Sequence, residues 1–368
     1  MAKKIYSSIG IMNGTSLDGI DISLIQSDGV QYIKFQSNKT YNYPISLRKK
    51  LTTLTNKINN KNFSEILNTD FFKQVESEFS QFCLNKLKIF FETFYLKNED
   101  IDIIGFHGPT LFHNANLKIS IQLGDVHFIS KQLKTKIVFD FRKADLLNGG
   151  QGAPLVPIFH KVIFSSKKNV AIINIGGISN ITLLKGKKNI YSTDIGPGNV
   201  LIDEFCSINF KKNFDKNGEI ASLGSVNTYY INKWLNLKIF KKNIPRSFNK
   251  NDFKLTDFST PKINSNYDKL NTLVSLTSEL IICSKNFFVK PDYWIICGGG
   301  AKNNCIIEKL KKNIKEKVFI SSELGFSPDF IESQAFAYLA IRKLIKLAST
   351  FPSTTGVKKP TVCGKITD

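Results

Sequence analysis

A strand, a short polar turn carrying glycines and a second strand open this chain. Ile5 to Met12 runs into Asn13-Gly14-Thr15-Ser16-Leu17-Asp18-Gly19-Ile20-Asp21 and leaves through Ile22-Ser23-Leu24-Ile25. Apolar runs on both sides of so short a loop predict a β-hairpin. P-loop and dinucleotide-binding motifs instead need a helix directly after their glycines, so both are excluded here. The same grammar returns where Val170 to Ile175 enters Gly176-Gly177-Ile178-Ser179-Asn180 and Ile181 to Leu184 comes back. That repetition predicts two related halves.

Between and after the hairpins the pattern alternates between strand and helix. Phe71, Phe72, Val75, Phe79, Phe82, Leu87, Ile89 and Phe90 recur mostly every three or four residues, which predicts an amphipathic helix from Glu65 to about Tyr95. A short buried strand over Asp100 to Gly105 then stops at Phe106-His107-Gly108-Pro109-Thr110. Ile137-Val138-Phe139 delivers Asp140-Phe141-Arg142 and a glycine-rich loop from Asp145 to Pro154. Tyr293 to Cys297 reads as a strand ending in Gly298-Gly299-Gly300, with a helix through Ile306, Ile307 and Leu310 after it. Residues 331 to 347 carry Ile331, Ala335, Phe336, Leu339, Ala340 and Leu344 at helical spacing, while 209 to 270 reads as helices and loops.

At 368 residues the chain exceeds what one core organises well, and 42% apolar residues, with 30 Phe, suffice for two. The net charge of +21 is mostly Lys scattered along the whole length, with no Arg-rich arm and no stripe interleaved with aromatics. It reads as a solvated surface, not a nucleic-acid groove. Six cysteines form no CxxC pair, so free thiols in a reducing cytosol are expected. The four histidines, at 107, 113, 127 and 160, lack metal-ligand spacing. Neither a signal-peptide region nor an apolar run of about 20 residues is present, which predicts a soluble, cytoplasmic protein without a membrane partner.

Glycine turns at Gly14, Gly176-Gly177, Gly196-Gly198 and Gly298-Gly300 each adjoin a buried strand, where a backbone without Cβ atoms lets a phosphate approach. A hydroxyl from Thr15 or Ser16 suits phosphate oxygens, and Asp18 or Asp21 suits a hydrated Mg²⁺ held through water. The alternative for Asp18 is an Asx-turn residue. Asp194, in Thr193-Asp194-Ile195-Gly196-Pro197-Gly198-Asn199, leaves a strand end at a stiff Gly-Pro-Gly turn that would aim a general base. Asp140 and Asp145 compete for that role. His107 reads either as a pocket residue or as a structural histidine.

Taken together, the 14-to-21 loop, Gly105 to Thr110, Asp140-Phe141-Arg142, Gly149 to Pro157, Asn174 to Asn180, Asp194 to Asn199, Cys297 to Gly300, Glu332 to Ala337 and Pro352 to Gly356 come in the order seen in anhydro-N-acetylmuramic acid kinases. The chain resembles that family over essentially its whole length. The resemblance implies an α/β fold of the sugar-kinase, actin and heat-shock-chaperone superfamily: a two-lobed actin-like ATPase (ribonuclease H-like) fold, mixed sheets flanked by helices, with a central cleft. It implies an N-terminal lobe of 1–136 plus 346–368 and a C-terminal lobe of 137–345.

The implied reaction takes ATP, water and 1,6-anhydro-N-acetylmuramic acid to N-acetylmuramic acid 6-phosphate and ADP, a step of peptidoglycan recycling. By that resemblance Asp194 is the catalytic base. Gly14, Thr15, Ser16, Leu17, Asp18, Gly19, Ile20, Asp21, Gly176, Gly177, Gly298, Gly299 and Gly300 make the nucleotide side, with Asp18 on Mg²⁺ through water. His107, Pro109, Arg142, Asp145 and Glu332 make the sugar side. A homodimer is a further expectation, since related kinases are often dimeric.

Three departures stand out. Pro109 replaces the family's Gln, Asn13 replaces a Ser, and Phe248-Asn249-Lys250 break the Lys-Ser-Thr-Gly-Arg run that usually follows the proline at 245. Two other readings remain beside the anhydro-sugar kinase: a same-fold kinase for an amino sugar with a free 6-hydroxyl, and an ATP-binding module without transfer activity.

Overall fold

The computed structural model describes residues 4–14, 17–58 and 62–368. It divides into two compact units, residues 1–163 with 330–368 and residues 164–329. Each is built on a mixed sheet flanked by helices.

In the first unit the strands are β1 (Tyr6–Met12), β2 (Gly19–Ser27), β3 (Ile33–Asn42), β4 (Ile103–His107) and β7 (Ile137–Phe139), with β13 (Lys365–Ile366) at the edge. A side hairpin comprises β5 (Thr110–Asn114) and β6 (Ile119–Gln122). The main sheet has the order β13-β7-β4-β1-β2-β3. Its β1–β2–β3 meander is antiparallel, whereas β4 and β7 join in parallel. The second unit holds β8 (Val170–Ile175), β9 (Ile178–Lys185), β10 (Asn189–Pro197), β11 (Tyr293–Cys297) and β12 (Lys317–Ile320) in the order β10-β9-β8-β11-β12. Here too a three-stranded antiparallel meander is extended by two parallel strands. Leaving the edge strand β13 aside, each sheet places its own first five strands in the order 3-2-1-4-5. The repeated hairpin grammar thus marks a repeated topology.

The unit boundaries differ from the lobes expected from sequence. Residues 137–163 and 330–345 belong to the first unit. The reason is packing: β7 pairs with β4, and the Ile331–Leu344 helix lies across β1, β2 and β4. That helix is buried on every side from Ser333 to Arg342, as befits a central element. Its backbone meets the sheet where Gly10 and Gly105 stand side by side on β1 and β4. A Cβ on Gly10 would sit 1.8 Å from the Ser333 carbonyl oxygen, and one on Gly105 would sit 2.1 Å from that of Phe336. Ser333 also shares a hydroxyl hydrogen bond with Ser23 of β2 at 2.7 Å.

The long helix of the first unit runs Asp70–Thr93, capped by the Thr69 hydroxyl, and buries Phe72, Val75, Phe79, Leu87 and Phe90. Trp234, Trp294, Leu276 and Ile281 centre the separate core of the second unit. β3 and the β5–β6 hairpin were not expected from sequence; β3 is largely exposed and polar.

Gly105→Ala and Gly10→Ala should each destabilise the protein by about 3 kcal/mol or more, because a backbone carbonyl and not a side-chain tip must move. Denaturant midpoints within experimental error of the parent would contradict this packing.

Candidate functional site

Candidate residues of the first unit gather at one end of its sheet. β1 and β4 run in parallel with Met12 level with His107, so the turn after β1 and the turn after β4 leave from the same edge. Gly14 accepts the Leu17 amide at 3.2 Å, and the Tyr43 amide donates to the Asp18 carbonyl at 2.9 Å. Leu17 holds a positive φ of 51° to close the turn. Asp18 is exposed, which suits a carboxylate that meets a cation through water. Gly19 and Ile20 are buried strand residues, and Asp21, also on β2, accepts the Thr40 hydroxyl. Thr15 and Ser16 lie outside the described residues.

His107 ends β4 at 3% exposure. Its Nε2 accepts from Arg142 Nε at 3.2 Å, which leaves the ring proton on Nδ1. Burial, followed by the charge of Arg142, holds its pKa well below the ordinary histidine range. Arg142 also donates to the Gly152 carbonyl at 2.8 Å, so β4, the segment after β7 and the glycine loop are tied together.

Asp145 has a different occupation from the sugar contact expected of it. It is fully buried, with Oδ1 taking the Gly152 amide at 2.7 Å and Oδ2 the Thr355 hydroxyl at 2.5 Å. Its carboxylate is committed to shaping the loop. Pro109 is likewise buried, and its carbonyl accepts the Leu123 amide at 3.1 Å. Asp140 pairs with Lys365 at 2.9 Å. Glu332 stands half-buried in the first turn of the Ile331–Leu344 helix.

The second unit repeats the arrangement. β8 and β11 are parallel with Asn174 level with Cys297, so Gly176-Gly177 and Gly298-Gly300 emerge side by side. Gly298 has φ +79°, and a Cβ there would sit 2.3 Å from Asn174 Oδ1. Among the described residues, its two chain neighbours aside, nothing lies within 4 Å of the place where a Cβ of Gly299 would stand. That open backbone is suited to a close ligand approach.

The Gly196-Gly198 turn, by contrast, is a brace. The Gly198 and Asn199 amides donate to the Gly177 and Gly176 carbonyls at 2.9 and 2.8 Å.

Asp194 leaves the same end of this sheet, on β10. The β10–β9 ladder pairs Asp194 with Asn180 and then Gly196 with Ser179, so Ile195 is an extra residue and the strand bulges. Such a bulge re-aims the side chains beside it. Asp194 is 5% exposed. Its Oδ2 accepts the Phe248 amide at 2.8 Å, and its own amide donates to the Arg246 carbonyl at 3.0 Å. A bulge and the segment through Arg246 to Phe248 therefore aim this carboxylate, where sequence reading credited the Gly-Pro-Gly turn. Arg246 was missed as a contributor to the site.

Among the described residues no group of three or more His, Cys, Asp or Glu is placed to hold a metal ion. No helix of the described residues is long and apolar enough to cross a membrane. All six cysteines are free thiols; burial pushes Cys206 and Cys363 up to about 12, far from a reactive thiolate.

The family model described as anhydro-N-acetylmuramic acid kinase matches residues 6–368. The chain belongs to the anhydro-N-acetylmuramic acid kinase family. Relatives bearing the name anhydro-N-acetylmuramic acid kinase include one from Pelagibacter ubique, 38% identical over 375 residues and covering 98% of each chain. Another, from Bradyrhizobium diazoefficiens, is 34% identical over 372 residues, again 98% of each. Component A of (R)-2-hydroxyglutaryl-CoA dehydratase from Acidaminococcus fermentans is similar at a TM-score of 0.44 and 11% identity, over 92% of this chain and 99% of that one. As a member of the anhydro-N-acetylmuramic acid kinase family, the chain is an enzyme and a phosphotransferase.

His113 and His160 are pushed down to about 3, in both cases chiefly by burial. Folded, they stay neutral where the unfolded chain takes up protons below about pH 6.5, so acid favours unfolding. Stability should fall between about pH 6.5 and 5, at a slope that grows from about 0.7 to nearly 1.4 kcal/mol per pH unit per histidine as the unfolded ring becomes fully protonated. Equal denaturant midpoints at both ends of that window would refute it.

Proposed function

We propose that this protein uses ATP to open the 1,6-anhydro bridge of 1,6-anhydro-N-acetylmuramic acid with water and to phosphorylate O6, giving N-acetylmuramic acid 6-phosphate and ADP. The bridge explains the need for water. O6 is tied to C1, so no free 6-hydroxyl exists to attack the γ-phosphorus. In this reading Asp194 accepts a proton from water as the water oxygen bonds to C1. The C1–O6 bond breaks, O6 bonds to the γ-phosphorus, and the bond to the β,γ-bridging oxygen breaks to release ADP. Phosphoryl transfer of this kind depends mainly on positioning and on neutralising charge.

The observation that carries the reading is the place of Asp194: a buried carboxylate, aimed by a strand bulge, at the same sheet end as the Gly176-Gly177 and Gly298-Gly300 turns. These turns and the loop after β1 form the nucleotide side. Asp18 is the residue suited to Mg²⁺, through water; a bound Mg²⁺ would neutralise phosphate charge. His107, Arg142 and Glu332 form the sugar side. Asp145 and Pro109 act one step back, by shaping the loops that carry them. The reading includes a cytoplasmic location, where ATP is at hand, and a homodimer, which light scattering in solution would test. The +21 charge is taken as solvated surface; DNA affinity that survives physiological salt would count against that.

Purified protein with ATP, Mg²⁺ and the anhydro sugar should produce the 6-phosphate. Asp194→Asn should lower turnover by about 10³-fold with near-normal ATP binding. Full turnover by that variant would move the base elsewhere. Turnover of an amino sugar with a free 6-hydroxyl, and none of the anhydro form, would favour the same-fold alternative.

A further inference from the structure

Arg246 has no place in the reaction as written, yet it is one of the most heavily bonded side chains of the second unit. It is 5% exposed. Nε donates to the Asp194 carbonyl at 3.2 Å and Nη2 to the Ile195 carbonyl at 3.0 Å. Nη1 donates to the carbonyls of Phe240 at 2.7 Å and Lys242 at 2.8 Å. The guanidinium carbon stands 5.2 Å from the ring centres of both Phe248 and Phe287. Its backbone joins the same knot, with the amide donating to Thr193 Oγ1 at 2.9 Å.

Two of these acceptors identify the role. A bulge leaves its extra residue outside the ladder, and at this bulge Arg246 binds the carbonyls of Asp194 and Ile195, the residues where register slips. Only a planar fork with several donors can hold two successive strand carbonyls and two from a neighbouring segment at once. Two residues farther along the same segment stands Phe248, whose amide donates to the Asp194 carboxylate.

We propose that Arg246 is a positioning residue for Asp194: its guanidinium clamps the β10 bulge and thereby sets the direction in which the carboxylate leaves the strand. The proposal rests on Asp194 being the base. It assigns Arg246 no contact with either substrate.

The test compares Arg246→Met, which keeps bulk and removes the donors, with Arg246→Lys, which keeps charge and some donors. Both are assayed with ATP, Mg²⁺ and 1,6-anhydro-N-acetylmuramic acid, with Asp194→Asn alongside. Arg246→Met should lose about 100-fold in kcat, the scale of a misplaced catalytic group, with little change in KM for either substrate. Arg246→Lys should recover about a tenth of parental kcat, since an ammonium holds fewer of the carbonyls. A folded Arg246→Met with parental kcat overturns the proposal. So does a loss confined to KM, which would mean a substrate contact. Failure of both variants to fold would also overturn it, by making Arg246 a stability residue alone. If Asp194→Asn turns over normally, the base assignment has failed; an inactive Asp194→Asn beside a normal Arg246→Met defeats only the clamp.

Discussion

A carboxylate withdrawn from water needs hydrogen-bond donors in place of that water, and much of the second unit around Asp194 answers this need. The Phe248 amide donates to Oδ2, and the chain that presents it is fastened by Arg246 to four carbonyls. Phe248 and Phe253 pack against one another at 5.3 Å and seat that segment on the core. The bulge in β10 supplies the geometry and the Arg246 segment supplies the donors. Neither would hold the group without the other.

This arrangement sits within a duplicated plan. Each sheet has the order 3-2-1-4-5, in which a hairpin turn and the ends of the parallel strands collect at one edge. In open α/β sheets that edge is where ligands bind. The first unit gathers Gly14, His107 and Arg142 there, and the second gathers Gly176, Gly299 and Asp194. The halves have diverged in what they carry: a neutral histidine held by an arginine in one, a carboxylate that accepts the Phe248 backbone amide in the other.

The helix over residues 70–93 was legible because its burial is periodic, and the hairpins and the strand over 293–297 because their apolar runs are nearly continuous and end at glycine turns. β3 was not, since its exposed run of Lys, Ser, Asn and Thr leaves little apolar signal. The unit boundary was misread because the Ile331–Leu344 helix owes its place to Gly10 and Gly105, more than two hundred residues away in sequence. No local pattern records such a contact. Candidate residue types were legible, but their occupations were not. Asp145 looks like a ligand-facing carboxylate in sequence, yet it folds back on Gly152 and Thr355. Arg246 left no trace because its partners are carbonyl oxygens, which every residue possesses.

In the proposed reaction the oxygen of water bonds to C1, while O6 leaves C1 and takes the phosphoryl group. The most direct test runs the reaction in water enriched in heavy oxygen, with rapid quenching and reduction of the sugar to lock the label before exchange. Mass spectrometry should then find the heavy atom on the oxygen of C1 and none in the phosphoryl group. Label in the phosphoryl group, or a C1 oxygen without it, would mean that the water attacks elsewhere, and the role given to Asp194 would fall with it.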